Sequence, residues 1–152
     1  MVDDVGSRAN PERPIVGIGV VVWRRERFIL IRRGREPNKG QWAIPGGALK
    51  LGETVWEAAR REVLEETALE VVVRGLVDVV DGIMRDGDGA LQYHYTLVDL
   101  FAESPCGEPR AGDDAAEVGW FTLGDLPALG LWSETERVIR ESAARRDGGA
   151  PA

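Results

Sequence analysis

One cysteine, Cys106, and one histidine, His94, occur in 152 residues. A lone thiol cannot build an internal disulfide framework, and it fits a chain kept in the reducing cytoplasm. Long apolar runs are also missing. The stretch Ile15 to Trp23 is too short to span a bilayer and is broken by Gly17 and Gly19, so no membrane association is expected. No segment reads as a signal peptide. Positive charge is in deficit: the net charge is −7, which argues against a general nucleic-acid-binding surface. It does not exclude a small anionic substrate, because a bound cation reverses the local field. There is no internal repeat. The length suits one domain with a sizeable core, expected over residues 14–144 between flexible tails at 1–13 and 145–152.

What the chain does have is a concentration of carboxylates. Gly47 is followed after five residues by Glu53, and after seven more by Arg61-Glu62-Val63-Leu64-Glu65-Glu66. At about 100° per residue, Glu62, Glu65 and Glu66 share roughly 100° of one helix face. Ala58 lies in the same sector and leaves room above them, while Val55, Trp56, Ala59 and Val63 form the adjoining apolar stripe. Thr54 and Glu57 have the form of a capping box, which predicts a helix over Val55 to Thr67. Like charges three and four apart repel by roughly 0.2–0.5 kcal/mol per pair, and a divalent cation is the natural compensation. Oxygen ligands with no histidine or cysteine nearby favour Mg²⁺ or Mn²⁺. Gly46-Gly47 lets the backbone approach closely and expose a carbonyl or amide. Together these suit attack of water on a phosphate ester or anhydride, with a nearby carboxylate as base.

The remaining elements read as follows. Ile15 to Trp23 and Phe28 to Arg33 are strands joined at Arg24 to Arg27, and a polar loop runs from Gly34 to Gln41. Leu69 to Asp81 is a valine-rich strand. A turn at Arg85 to Gly89 leads back into Leu91 to Phe101 as its hairpin partner. Ser104 to Ala115 is an acidic loop and Glu117 to Thr122 a short strand. Leu131 to Ala144 is helical, with Ser133 as its cap and Glu136 at the third helical position, and the residues after Ala144 fray. Periodicity alone supports α/β or α+β.

The acidic segment resembles the Nudix box, Gly-x5-Glu-x7-Arg-Glu-U-x-Glu-Glu-x-Gly-U with U bulky and aliphatic. Gly47, Glu53, Arg61, Glu62, Val63, Glu65, Glu66 and Leu69 match, and Trp42-Ala-Ile-Pro45-Gly-Gly47 resembles the usual approach to it. The second glycine is Ala68 here. A left-handed alanine at that helix end costs about 1 kcal/mol and removes no carboxylate. The resemblance implies an α/β/α sandwich with a mixed central sheet, and a Mg²⁺-dependent pyrophosphohydrolase, with Mn²⁺ as the other metal. The substrate it implies is a nucleoside diphosphate linked to another group. It assigns Glu62, Glu65, Glu66 and the Gly47 carbonyl to the metal. The candidate bases are Glu62, Glu65 and Asp114, with Asp113 behind Asp114, set against a plain polar turn. Arg61 orients a glutamate such as Glu53 rather than touching substrate, and Glu57 and Glu70 read as solvated surface.

Arg32, Arg33, Arg35, Lys39 and Lys50 are candidates for phosphate contact, set against ordinary surface charge. Trp23, Phe28, Tyr93, Tyr95 and Trp132 are candidates for base stacking, set against core packing. His94 touches substrate or makes a structural hydrogen bond. ADP-ribose is favoured over ordinary or oxidised nucleoside triphosphates, although two substrate signatures are absent. The proline that ADP-ribose-specific members carry downstream of the box has no counterpart at Gly82-Ile-Met84, and there is no Ser-Gln-Pro-Trp stretch. A non-cleaving nucleotide sensor is the alternative from another class, disfavoured because no box glutamate is lost. An RNA-cap-processing role is disfavoured by the acidic balance. Homodimers are common among relatives.

Overall fold

The computed structural model describes residues 8–148; the outer parts of both expected tails lie outside the described residues. Seven strands form one mixed sheet: β1 (Ile15–Arg24), β2 (Arg27–Arg33), β3 (Trp42–Ala43), β4 (Gly46–Ala48), β5 (Val72–Arg85), β6 (Leu91–Glu103) and β7 (Ala115–Phe121). The order is β3-β2-β1-β6-β5, with β4 also on β1 and β7 on β2. The β1–β6 pair is parallel and the others antiparallel.

Alternation along the strands divides the core into two layers. Ile18, Val20, Val22, Ile29, Leu100 and Ala102 pack against Ala58, Ala59 and Val63 of helix α1 (Val55–Thr67). Val21, Trp23, Phe28, Leu30 and Phe101 face the other way, onto α2 (Leu126–Leu129) and α3 (Ser133–Asp147). The molecule is therefore an α/β/α sandwich on a mixed sheet, as expected.

Helix α1 has the expected bounds, and its capping box forms: Glu57 N donates to Thr54 Oγ1 and Thr54 N to Glu57 Oε1. Ala68 closes it in the left-handed region at φ 62°. Several boundaries differ from expectation: β6 runs to Glu103, β7 spans Ala115–Phe121 rather than Glu117 to Thr122, α3 starts at Ser133 rather than Leu131, and the short β3, β4 and α2 had not been expected. β5 begins at Val72, because Leu69 and Val71 are first drawn into the core beneath α1. It then continues to Arg85, where Asp86 accepts from Asp88 N and Ala90 N to form the turn. α3 runs on to Asp147 rather than fraying after Ala144. Trp23 Nε1 donates to the buried Ser142 Oγ at 3.0 Å, and the Arg146 guanidinium covers the Trp23 ring at 4.1 Å, which holds the last turn down. Ser133 is the first helical residue and makes no side-chain cap.

Candidate active site

The acidic site is built where α1 crosses β4. Strand β4 pairs with β1, Gly46 opposite Gly19 and Gly47 opposite Ile18. A Cβ on Gly46 would lie 2.0 Å from the Ile18 carbonyl oxygen, and one on Gly47 would lie 2.4 Å from Glu62 Oε1. The backbone contact at Gly46 excludes any side chain and fixes β4 against β1, while a side chain at Gly47 would displace the Glu62 carboxylate from its position.

Glu62 and Glu66 are only 7% and 4% exposed. Burial pushes Glu66 up to about 8, against the opposing hydrogen bond from Gly46 N at 2.7 Å. Burial also raises Glu62, against the pull of Arg61. Arg61 organises the rest. It grips Glu53 with two donors, Nε to Oε2 at 2.6 Å and Nη2 to Oε1 at 2.9 Å. Its Nη1 donates to Glu62 Oε1 at 2.7 Å and Glu65 Oε2 at 3.2 Å, and Nη2 reaches the Ala48 carbonyl at 3.2 Å. This fork–carboxylate geometry is the strong kind. It holds Glu53 below the ordinary carboxylate range.

The loop before β7 docks onto the end of α1, whose last carbonyls lack helical partners. Arg110 N donates to Thr67 O at 2.8 Å and Gly112 N to Glu66 O at 3.2 Å. This carries Asp113 and Asp114 to the same cleft as Glu62, Glu65 and Glu66. Arg35 closes one side through an ion pair with Asp114 at 2.7 Å. The donors here are all hard oxygens, and the added acids raise Glu62 and Glu66 further; this chemistry fits a divalent cation such as Mg²⁺. In the present arrangement Arg61 and the Gly46 amide engage the box glutamates, and no three acids among the described residues converge on one point.

A second, more apolar cavity opens on the α3 side of the sheet, walled by Trp42, Ile44, Tyr95, Leu97 and Trp132. The two cavities meet at Gly46, Gly47, Arg33 and Arg8.

Of the residues singled out from the sequence, Gly47, Glu62, Glu65, Glu66, Asp114, Arg35 and Lys50 line the acidic cleft. Others stand elsewhere. Arg32 extends from the opposite face of β2, paired with Glu117 at 3.3 Å and lying over Trp42. Lys39 is on the loop outside both cavities, its amide donating to Glu36. Tyr93 stacks on Tyr95 at 6.4 Å, but only Tyr95 reaches the apolar cavity, and His94 lies outside both. Trp23 and Phe28 are core. Arg33, neighbour of Arg32, lines both cavities. Charged lining residues that had not been singled out include Arg8, which borders both cavities, and Asp99 and Glu134 in the apolar one. The available signal for Asp99 was an acid inside the apolar strand Leu97-Val-Asp-Leu-Phe101.

The NUDIX domain family model matches residues 13–142. An ADP-ribose pyrophosphatase of Methanocaldococcus jannaschii is 35% identical over 135 residues, covering 89% of this chain and 76% of that protein. An oxidized purine nucleoside triphosphate hydrolase of Danio rerio is 30% identical over 120 residues, 76% of this chain and 70% of that one. The crystal structure of a MutT NUDIX hydrolase from Burkholderia pseudomallei superposes with a TM-score of 0.73 at 33% identity, covering 86% of this chain and 98% of that chain.

Proposed function

This chain belongs to the NUDIX family and is a hydrolase of phosphoric anhydrides, and from that premise we propose that its substrate is ADP-ribose. The reaction is attack of water on the diphosphate of a nucleoside diphosphate linked to another group. The observation that carries the reading is the junction at Gly46-Gly47, where a carboxylate cleft and an apolar slot are continuous. A diphosphate in the first and a nucleobase in the second would suit the polarity of each. The relative from Methanocaldococcus jannaschii supports ADP-ribose. The Danio rerio relative supports a nucleoside triphosphate, ordinary or oxidised, as the second reading.

NUDIX hydrolases use divalent metals, commonly Mg²⁺; here Glu62, Glu65, Glu66 and the Gly47 carbonyl would hold the ion. When bound, it would neutralise phosphate charge and lower the pKa of water. Arg61 and Glu53 hold the box glutamates in position. Arg33, Arg35 and Lys50 bring positive charge to the cleft for the phosphates. Glu65 and Asp114 are the candidate bases, since both are less buried than Glu62 and Glu66; Glu62 is the third. The site would act in the cytoplasm on a small nucleotide.

The test is turnover with Mg²⁺ of ADP-ribose, NADH, diadenosine polyphosphates, dGTP and 8-oxo-dGTP. ADP-ribose cleaved with kcat/KM well above the others supports the reading. A triphosphate in first place replaces it with the second, and metal-dependent binding without any cleavage overturns both in favour of a sensor.

A further inference from the structure

The acidic cleft leaves one buried acid unexplained. Asp99, on β6, is 7% exposed and sits in the apolar cavity on the far face of the sheet from Glu62, Glu65 and Glu66. Its carboxyl lies over the backbone of Gly19 on neighbouring β1: a Cβ there would stand 2.3 Å from Asp99 Oδ1 and 2.9 Å from Ile44 Cδ1. Any larger residue at 19 would displace the Asp99 carboxyl from this position.

No described residue donates a hydrogen bond to it. Arg137, whose charge acts on the group, is already engaged. Arg137 gives its Nε to Glu134 at 2.7 Å and its Nη2 to Asp78 at 2.9 Å. Asp78 on β5 and Glu134 at the start of α3 add negative charge on either side, and Arg137 offsets it only in part. Burial is the largest influence and pushes Asp99 up to about 7. Its oxygens open onto the cavity, and with no protein donor the ionised form of this largely buried group is disfavoured. Such a liability, open to a cavity, points to a ligand that brings the donor.

The walls narrow the ligand. Trp42, Ile44, Tyr95, Leu97 and Trp132 offer apolar and aromatic surface suited to a flat ring, and Trp132 is 43% exposed at the rim. The acids of this cavity are Asp99 and Glu134, while its arginines, Arg8 and Arg33, also border the acidic cleft, so a phosphate is favoured at the junction rather than beside Asp99. An N–H on the edge of a planar heterocycle would meet both the walls and the acid.

We propose that Asp99 is the residue with which this cavity reads the nucleobase, accepting a hydrogen bond from an exocyclic amino group as on adenine or guanine. This rests on the nucleotide-hydrolase reading above and adds the specificity determinant to it. A base that lacks the amino group loses this hydrogen bond, and one with a carbonyl oxygen in its place also sets oxygen against oxygen while Asp99 is ionised.

The test is calorimetric binding of AMP, GMP and IMP, with Mg²⁺, to wild type, Asp99→Leu and Asp99→Asn, alongside turnover and melting temperature of the same samples. Wild type should bind the tighter of AMP and GMP about tenfold or more better than IMP, because a site built around a hydrogen bond discriminates strongly against its loss. In Asp99→Leu that ratio should fall towards one. In Asp99→Asn, whose amide can turn either atom to the ligand, the ratio should also fall, and where AMP is the tighter ligand IMP should gain, its carbonyl accepting from the amide. Both variants should melt at or above the wild-type temperature. Should Asp99→Leu fail to fold, Asp99→Asn carries the test alone. An unchanged ratio in the folded variants overturns the proposal. So does a lowered melting temperature in Asp99→Asn with the ratio intact, which would make the acid structural. Turnover separates the two readings: cleavage with base preference independent of Asp99 overturns this inference alone, whereas Asp99-dependent base preference without cleavage of any anhydride supports it and overturns the hydrolase.

Discussion

Glu66 joins two properties that pull in opposite directions. It is buried and raised to about 8, yet a cation would require it ionised. Its ordinary value is 4.5, so the unfolded chain gives up the proton first. Stability of the protein without metal should therefore be fully present below about pH 4.5 as far as Glu66 is concerned, and should fall as pH rises from there towards about 8. Melting temperatures in EDTA across that range check it; a flat profile would mean Glu66 is not held protonated. Mg²⁺ should restore stability most at the upper end, where the ligand is ionised. Glu66→Gln keeps an oxygen for the Gly46 amide. It should raise the metal-free melting temperature at pH 8 and lower turnover by about 10²-fold or more. Glu62→Gln should lower turnover by a similar factor, and near-normal rates in both would sink the assignment. Arg61→Lys keeps the charge but loses the fork that holds Glu53 and reaches Glu62. Its kcat/KM should drop by roughly tenfold, since lysine cannot replace a bidentate guanidinium; full activity would reduce Arg61 to a charge. The sequence placed Glu62, Glu65 and Glu66 on one helix face and gave Arg61 the role of orienting a glutamate, but it could not separate Arg32 from Arg33. That depends on which face of β2 meets α1, and a bulge between the two residues alters the alternation there.

At the scale of the element, α1 carries the site and its ends position it. Thr54 and Glu57 close the start, and Ala68 closes the end at φ 62°. A side chain in that region is strained by about 1 kcal/mol, which glycine relieves. Ala68→Gly should therefore raise the melting temperature by a few degrees, offset in part by the greater entropy of an unfolded glycine; a lower temperature would show the αL alanine to be unstrained. The opposite is expected at Gly46. There a Cβ would meet the Ile18 carbonyl, so Gly46→Ala should lower the melting temperature markedly or abolish the fold. Helix α1 was legible to its end residues because capping box, apolar stripe and acidic face agree. Helix α3 was less so. Its last turn is held by Trp23 and Arg146, contacts between residues far apart in sequence.

The whole molecule is two helical layers on one sheet, and the proposed chemistry depends on both sides meeting at one edge. The link between β1 and α3 is the Trp23–Ser142 hydrogen bond, fully buried. Ser142→Ala would leave the indole N–H without its acceptor and should cost about 1–3 kcal/mol, read as a shift in denaturant midpoint without change of slope; no shift would mean α3 is held by packing alone. The sequence by itself determined the family resemblance, the helix with its carboxylates, and the mixed α/β character, because these rest on local spacing, capping and hydrophobic period. Only the tertiary structure decided that Asp113 and Asp114 come to the box glutamates, through loop amides that satisfy the end of α1. It also decided that Tyr95 rather than Tyr93 faces a cavity, and that Asp99 lies buried without a donor over Gly19. Each of these depends on strand register and on which elements stack across the sheet, and such non-local pairings leave no period in the chain to read.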